Sequence, residues 1–173
     1  MTAPSSGSAA AATGSPRGLT HVRADGSAHM VDVSGKPVTV REASAAGRVQ
    51  VSASAVAALR SGAVPKGDAL AVARIAGLQA VKKTPDLIPL AHPVAVHAAT
   101  VELEVDDAGV AISATVRTAD RTGIEMEALT AVSVAALALV DMIKAVDRHA
   151  RITDIRVTAK SGGRSGDWRE PPS

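Results

Sequence analysis

The chain has no cysteine, and this absence alone excludes several classes of protein. Disulfide bonds, thiolate zinc sites, iron–sulfur clusters and cysteine nucleophiles all require that side chain. Aromatic residues are also nearly absent, with one Trp and no Phe or Tyr among 173 residues. The core must therefore consist of aliphatic side chains, which bury less area than aromatic ones. We expect the chain to recover some of that burial by assembling with other copies.

Charge of one sign is not in excess either. The 19 Lys and Arg residues are nearly balanced by 17 Asp and Glu residues. This balance is not typical of a dedicated nucleic-acid protein, and the scarcity of aromatics argues against stacking on single-stranded bases. We therefore predict no nucleic-acid partner.

No apolar run in the sequence is long enough to span a bilayer. The longest one, at residues 128–140, is followed by Asp141 and Lys144. Residues 1–17 are rich in Ser, Ala, Gly and Pro, and they lack the charged and apolar regions of a signal peptide. We predict a disordered tail over residues 1–17, no membrane association and a cytoplasmic location.

What is present is a series of short strand and helix patterns. A β-branched strand comes first, followed by two helices, and Asp68 is placed to cap the second one. Two alternating runs then flank a turn at residues 106–109, which predicts a hairpin. A long helix at about 127–147 and a last strand complete the order. The order predicts an α+β fold, a ferredoxin-like β-α-β-β-α-β antiparallel sandwich with an extra N-terminal arm and helix.

The long helix is apolar on nearly all sides, which predicts burial on all sides. In a two-layer domain only another subunit could cover its second side. We predict one domain over residues 18–164 and, because the last segment is rich in Gly and Ser, a flexible tail over 165–173.

Four charged residues stand at the two ends of this helix. Asp141 and Lys144 share a face, either as a surface ion pair or as an acid and a base tuned by burial. Glu125 and Glu127 are either ordinary acids at a helix N-terminus or part of a site. Glu127 and Asp141 are fourteen positions apart, about 21 Å along a helix. If both ends act on one substrate, two subunits must join to form the site.

Other candidate residues give weaker signals. His92 lies between two prolines and is either an ordinary loop residue or a proton carrier. Lys66 and Lys160 lie close to glycines, as in loops that bind phosphate, although neither matches a nucleotide-binding motif. The remaining His residues show no metal-ligand spacing, so no metal site is predicted. The residues alone favour an anion-binding site with acid–base groups and do not name a reaction.

Four segments, HMVDV, KGDALAVARIAGLQAVKKTPDLIPLAHP, TGIEMEALTAVSVAALALVDMIKAV and AKSGGRSGD, closely resemble the family of molybdenum cofactor biosynthesis protein C (MoaC). The resemblance covers about residues 19–167. It implies a homohexamer, built as a trimer of dimers with active sites at the dimer interfaces. It also implies a lyase that converts 3′,8-cyclo-7,8-dihydroguanosine 5′-triphosphate to cyclic pyranopterin monophosphate and pyrophosphate. No cofactor is implied, although Mg²⁺ could accompany the triphosphate.

The resemblance also implies roles for individual residues. The catalytic positions are Asp141 as acid/base, Lys144 beside it, and Lys66. The positions that match substrate contacts are Leu90, Ala91, His92, Glu125, Met126, Glu127 and Lys160, with Lys36, Arg41 and Lys82 as further candidates for the triphosphate. Many members of the family have Cys where this chain has Ala91, and a packing role for that position is expected because the chemistry needs no thiol. A ligand-binding regulator on the same fold, without catalysis, is the alternative.

Overall fold

The computed structural model describes residues 26–171. The chain divides into two units, Met1–Val31 and Asp32–Ser173, and only residues 26–31 of the first are described. The tail predicted over residues 1–17 lies outside the described residues. Everything below concerns the second unit.

The described residues of the second unit form one antiparallel sheet of five strands in the order β2-β3-β1-β4-β5. The strands are β1 Thr39–Gln50, β2 Val96–Asp106, β3 Gly109–Asp120, β4 Arg151–Ser161 and β5 Trp168–Arg169. The predicted hairpin is confirmed, with Asp106 opposite Gly109. Gly109 has a φ of 137°, and a side chain there would collide with the Val49 carbonyl, so only glycine fits at this point.

Four helices complete the described part of the unit, residues 32–171. They are α1 Ala53–Ser61, α2 Ala69–Val81, α3 Thr84–Leu87 and α4 Glu125–Ile143. The predicted start of α2 is confirmed, since the Asp68 carboxylate accepts a hydrogen bond from the Ala71 N–H at 2.9 Å. The order of elements and the α+β sandwich match the sequence prediction.

The long helix α4 differs from its prediction at both ends, because it begins at Glu125 and ends at Ile143 rather than spanning residues 127–147. α4 ends before residue 147 because of local hydrogen bonds. The buried Asp147 carboxylate accepts hydrogen bonds from the N–H groups of Ser52 at 2.6 Å and His149 at 2.8 Å. These bonds hold the chain in a turn where a helix would otherwise continue.

α2 and α4 form the helical layer, and they run antiparallel. Lys66, just before α2, contacts Asp141 near the end of α4, whereas Gly77 in α2 lies against Ala131 in the middle of α4. The lack of a side chain at Gly77 permits this close approach. The core between the two layers is aliphatic, as the composition predicts.

In the single chain α4 is fully buried on one side only, so the prediction that another subunit covers its second side stays a prediction. Its sheet-facing side is fully buried, but Leu137 is 59% exposed on the opposite side. Val72 and Ile75 of α2 are exposed as well, so the helical layer presents apolar side chains to its surroundings. α4 is long and apolar enough to cross a bilayer, but core helices of soluble proteins have the same length and composition and more than half of α4 is buried.

The segment predicted to be a flexible tail over residues 165–173 instead begins by folding back onto the sheet. β5 pairs with the end of β4, and the Glu170 N–H donates to the Thr158 carbonyl at 2.8 Å. Gly162, Gly163 and Gly166 have φ values of 83°, 75° and 69°, which allow the sharp reversal. Glycines that suggest flexibility in the sequence here form a specific turn.

Candidate active site

The Asp141 carboxylate lies between two ammonium groups at the C-terminal end of α4. Lys66 Nζ approaches Asp141 Oδ2 at 2.8 Å, and Lys144 Nζ approaches Oδ1 at 2.8 Å. Lys66 Nζ also donates to the Asp141 main-chain carbonyl at 2.8 Å. We call these three residues the acid–base cluster. The structure therefore brings together all three predicted catalytic residues.

Two different local structures position the lysines. Lys144 is the C-cap of α4, three positions beyond Asp141, so the two side chains lie on one face. Lys66 lies in the turn before α2, where the Gly67 N–H bonds to the Val64 carbonyl at 3.0 Å and Gly67 has a φ of 96°. The sequence predicts the first contact from helical spacing. The second depends on the antiparallel packing of α2 against α4.

The two lysines determine the electrostatics of this cluster. Hydrogen bonds from Lys144 and then Lys66 lower the pKa of Asp141 to about 2. The carboxylate is therefore ionised at neutral pH and holds two cations in place. Its side chain is 56% exposed in the single chain, so burial raises its pKa less than the two lysines lower it.

A second group of charged residues, the N-terminal cluster of Lys160, Glu125 and Glu127, lies where α4 begins. Lys160 Nζ lies 3.4 Å from Glu125 Oε1 and donates to Ser165 Oγ at 3.1 Å. Glu127 is almost fully buried, and this burial raises its pKa, with the Glu125 charge adding to the effect. The cluster therefore combines a cation, a carboxylate and a carboxyl group that holds its proton more tightly than usual.

Two arginines join neighbouring strands at the same end. The Arg41 guanidinium donates to the carbonyls of Asp120 at 3.0 Å and Arg121 at 3.2 Å. Arg121 in turn donates to the Lys36 carbonyl at 2.9 Å. Arg41 and Lys36 were predicted as triphosphate contacts, whereas the structural role of Arg121 and the bond from Lys160 to Ser165 were missed. Only the proximity of Ser165 to Lys160 in the sequence could have indicated that bond.

The remaining predicted residues also belong to this end of the molecule. Leu90, Ala91 and His92 precede β2, whose entry is held by a bond of 2.6 Å from the Thr118 hydroxyl to the Ala95 carbonyl. Met126 is 41% exposed in the first turn of α4. Lys82 is the C-cap of α2, which runs toward the start of α4.

The predicted residues thus form two groups at opposite ends of α4. The catalytic positions Asp141, Lys144 and Lys66 lie at its C-terminal end. The predicted substrate-binding residues lie toward its N-terminal end, about 21 Å away along the helix. Two open recesses of about 710 and 360 Å³ lie on the sheet of the described chain, and neither is lined by any residue of the acid–base cluster.

A protein metal site needs several ligand side chains that converge on one point. Within residues 26–171 no three His, Asp or Glu side chains converge on one point. The two clusters of the described chain offer ammonium groups that can bind anions and carboxyl groups that can move protons.

Comparison with known proteins assigns a family to this scaffold. The model of the MoaC family matches residues 30–163. A protein named cyclic pyranopterin monophosphate synthase from Nocardioides is 63% identical over 160 residues, which cover 91% of this chain and 98% of the relative. A protein of the same name from Streptomyces griseus is 64% identical over 151 residues, covering 87% and 85%. On the strength of these matches and of the arrangement around α4, this chain belongs to the MoaC family.

Proposed function

We propose that this protein is a cyclic pyranopterin monophosphate synthase of the cytoplasm, acting in molybdenum cofactor biosynthesis. The substrate would be 3′,8-cyclo-7,8-dihydroguanosine 5′-triphosphate, and the products cyclic pyranopterin monophosphate and pyrophosphate. The observation that carries the proposal is the acid–base cluster, in a chain whose relatives bear that name. The reaction makes it a phosphorus–oxygen lyase.

The lysines of the acid–base cluster suit the phosphate step. When a hydroxyl oxygen attacks the innermost phosphorus, a new P–O bond forms, and the P–O bond to pyrophosphate breaks. Negative charge then grows on the leaving pyrophosphate, where ammonium groups such as those of Lys66 and Lys144 stabilise it. No side chain needs to be oxidised or reduced in this step, which is consistent with a chain that has no cysteine.

Asp141 is suited to receiving a proton once the substrate is bound. In the chain alone its two lysine partners lower its pKa to about 2, so it is a weak base. A bound triphosphate would compete for the same ammonium groups. As they turn toward the phosphates, the Asp141 carboxylate loses hydrogen bonds and its pKa rises toward its ordinary value. In this proposal substrate binding itself activates the base.

We propose further that two copies of the chain form each active site, in a homohexamer built as a trimer of dimers. One copy would contribute the acid–base cluster and its partner the N-terminal cluster, since the two lie about 21 Å apart within one chain. The exposed apolar residues of the helical layer, Val72, Ile75 and Leu137, support assembly because such surface favours association.

We also propose that the chain holds no cofactor of its own and that any Mg²⁺ enters with the triphosphate. The arrangement of lysines around a carboxylate supports this, because it offers cations where a protein metal site would offer several oxygen ligands.

The direct test is to incubate the purified protein with the cyclic dihydro-GTP substrate and to measure pterin product and pyrophosphate. We expect the two products in equal amounts. Release of pyrophosphate without the pterin, or no turnover by the wild-type protein, would contradict the proposed function.

A further inference from the structure

The only aromatic side chain of the protein, Trp168, lies on β5 and is 45% exposed. An indole ring is costly to leave in water, because it is a large apolar surface. The chain uses no other aromatic residue, even in its core. The exposed position of Trp168 on a surface strand is therefore unusual for this chain.

Strand register places Trp168 beside the N-terminal cluster. Trp168 is directly opposite Lys160 on β4, and Lys160 is directly opposite Ala43 on β1. Residues opposite each other in an antiparallel pair point to the same face of the sheet. Ala43 is buried beneath the helices, and Lys160 reaches Glu125 at the start of α4. The indole thus stands on the helical side of the sheet, next to the Lys160 side chain.

Hydrogen bonds fix the residues that precede and follow β5, the short strand that carries the indole. After it, the Glu170 carboxylate accepts bonds from Arg156 Nε at 2.7 and 2.9 Å. Before it, the Asp167 carboxylate accepts a bond from the Gly162 N–H at 3.0 Å. Because these bonds anchor a two-residue strand to β4, the ring is presented from a fixed backbone.

The N-terminal cluster has no flat side chain on which the ring of a purine-derived substrate could stack. Lys160, Glu125 and Glu127 can bind charge and move protons, but none of them offers a face for a flat heterocycle. An indole face does, and stacking of a base on an aromatic ring contributes substantially to binding. We propose that Trp168 is a substrate-binding residue that stacks on the heterocyclic ring of the substrate while Lys160 and its neighbours bind polar groups.

This inference rests on the proposed function, and kinetics of three variants test it. Trp168→Leu keeps an apolar side chain without a stacking face, and we expect its KM to rise about 10-fold or more while kcat changes less than twofold. Trp168→Phe keeps an aromatic face and should restore most of the affinity. Arg169→Ala, on the same strand but facing the other way, is the matched control and should resemble the wild type.

Fluorescence of the full-length wild-type protein provides a second test, which requires neither turnover nor a stable variant. The protein has one Trp and no Tyr, so all intrinsic emission comes from Trp168. GTP, which carries a purine, should change this emission. Inorganic tripolyphosphate, which carries the charge without the ring, should change it far less.

Several outcomes would overturn the inference. They are an unchanged KM for Trp168→Leu, an equal rise for Arg169→Ala, no recovery with Trp168→Phe, or equal effects of tripolyphosphate and GTP on the emission. A wild-type protein without turnover would instead contradict the proposed function. The fluorescence comparison would still decide whether Trp168 meets a heterocycle.

Discussion

At the residue scale, Asp141 shows how a single carboxylate can organise two cations. It accepts bonds from Lys66 and Lys144, and these bonds keep its pKa near 2. Because the pKa is lowered in the folded protein, the stabilisation from this cluster is present above the ordinary pKa of an Asp. It is lost as the pH falls through about 2. The Asp141 carboxylate is therefore ionised and paired with both lysines at neutral pH.

Replacing Asp141 with Asn separates catalysis from binding. Asn cannot accept a proton as a carboxylate does, so we expect Asp141→Asn to abolish turnover while the substrate still binds. Substrate affinity and product formation are to be measured on the same preparation. A change of affinity alone, with turnover near that of the wild type, would favour a ligand-binding regulator over an enzyme.

A matched control for this variant exists in the same chain. Lys83 and Asp86 form an exposed ion pair at 3.4 Å with the same three-residue spacing. Exposed pairs of this kind contribute little to stability. Asp86→Asn should therefore leave turnover unchanged, which separates the removal of an ion pair from the removal of a catalytic carboxylate.

Glu127 allows a prediction about pH and stability. Its pKa is raised by burial and, to a lesser extent, by Glu125. The folded state is therefore stabilised relative to the unfolded state at low pH, and this advantage is lost as the pH rises through the raised pKa. Glu127→Gln removes this titration. We therefore expect its thermal midpoint to rise relative to that of the wild type as the pH increases above the ordinary pKa of a Glu, about 4.3.

Thermal unfolding between pH 4 and 8 measures this difference. Glu104→Gln, at an exposed position of β2, is the control and should follow the wild type throughout. Parallel curves for Glu127→Gln and the wild type would show that burial does not perturb the Glu127 carboxyl group.

At the scale of secondary-structure elements, the close packing of α2 on α4 determines where Lys66 lies. A Cβ at Gly77 would lie 2.9 Å from the Ala131 carbonyl oxygen and 3.2 Å from Ala135 Cβ. A methyl group there would push the two helices apart. The contact between Lys66 and Asp141 therefore depends in part on a glycine that is distant from it along α2.

Gly77→Ala is accordingly expected to destabilise the fold. Overpacking costs about 1–3 kcal/mol, and the better helix propensity of Ala returns up to about 1 kcal/mol. The free energy of unfolding, measured with urea, should fall. Gly35→Ala, where an added Cβ meets nothing within 4 Å, is the matched control and should change stability little. Equal stabilities for the two variants would mean that the helices adjust freely.

At the scale of the whole molecule, the question is whether one chain or two form the active site. If two copies contribute opposite ends of α4, Asp141→Asn and Lys160→Ala damage different halves of each site. In a mixed dimer of these variants, one site carries both changes and the other carries neither.

Mixing the two inactive variants therefore gives a clear prediction. Random exchange of subunits makes half of the dimers mixed, and half of their sites are intact. Activity should then recover to about a quarter of the wild-type value. Each variant alone, taken through the same exchange procedure, is the control. If each chain contains a complete site, mixing will restore nothing.

Much of the fold could be predicted because its signals are local. The cap at Asp68, the hairpin around Gly109 and the spacing of Asp141 and Lys144 each depend on residues close together in the chain. A neighbouring glycine and the family resemblance both indicated Lys66, but no local pattern indicated its contact with Asp141. The last segment was misread because glycines indicate a turn or a flexible region equally well until their partners are known.

The sequence by itself determined the aliphatic core, the order of elements and the distance between the two ends of α4. Composition and the rise per residue of a helix do not depend on contacts between distant segments. The tertiary structure alone decided which distant groups meet. It brings Lys66 to Asp141, Lys160 to Glu125, and Trp168 beside Lys160. The physical reason is that such contacts depend on packing and strand register between segments far apart in the chain, and no local propensity specifies them.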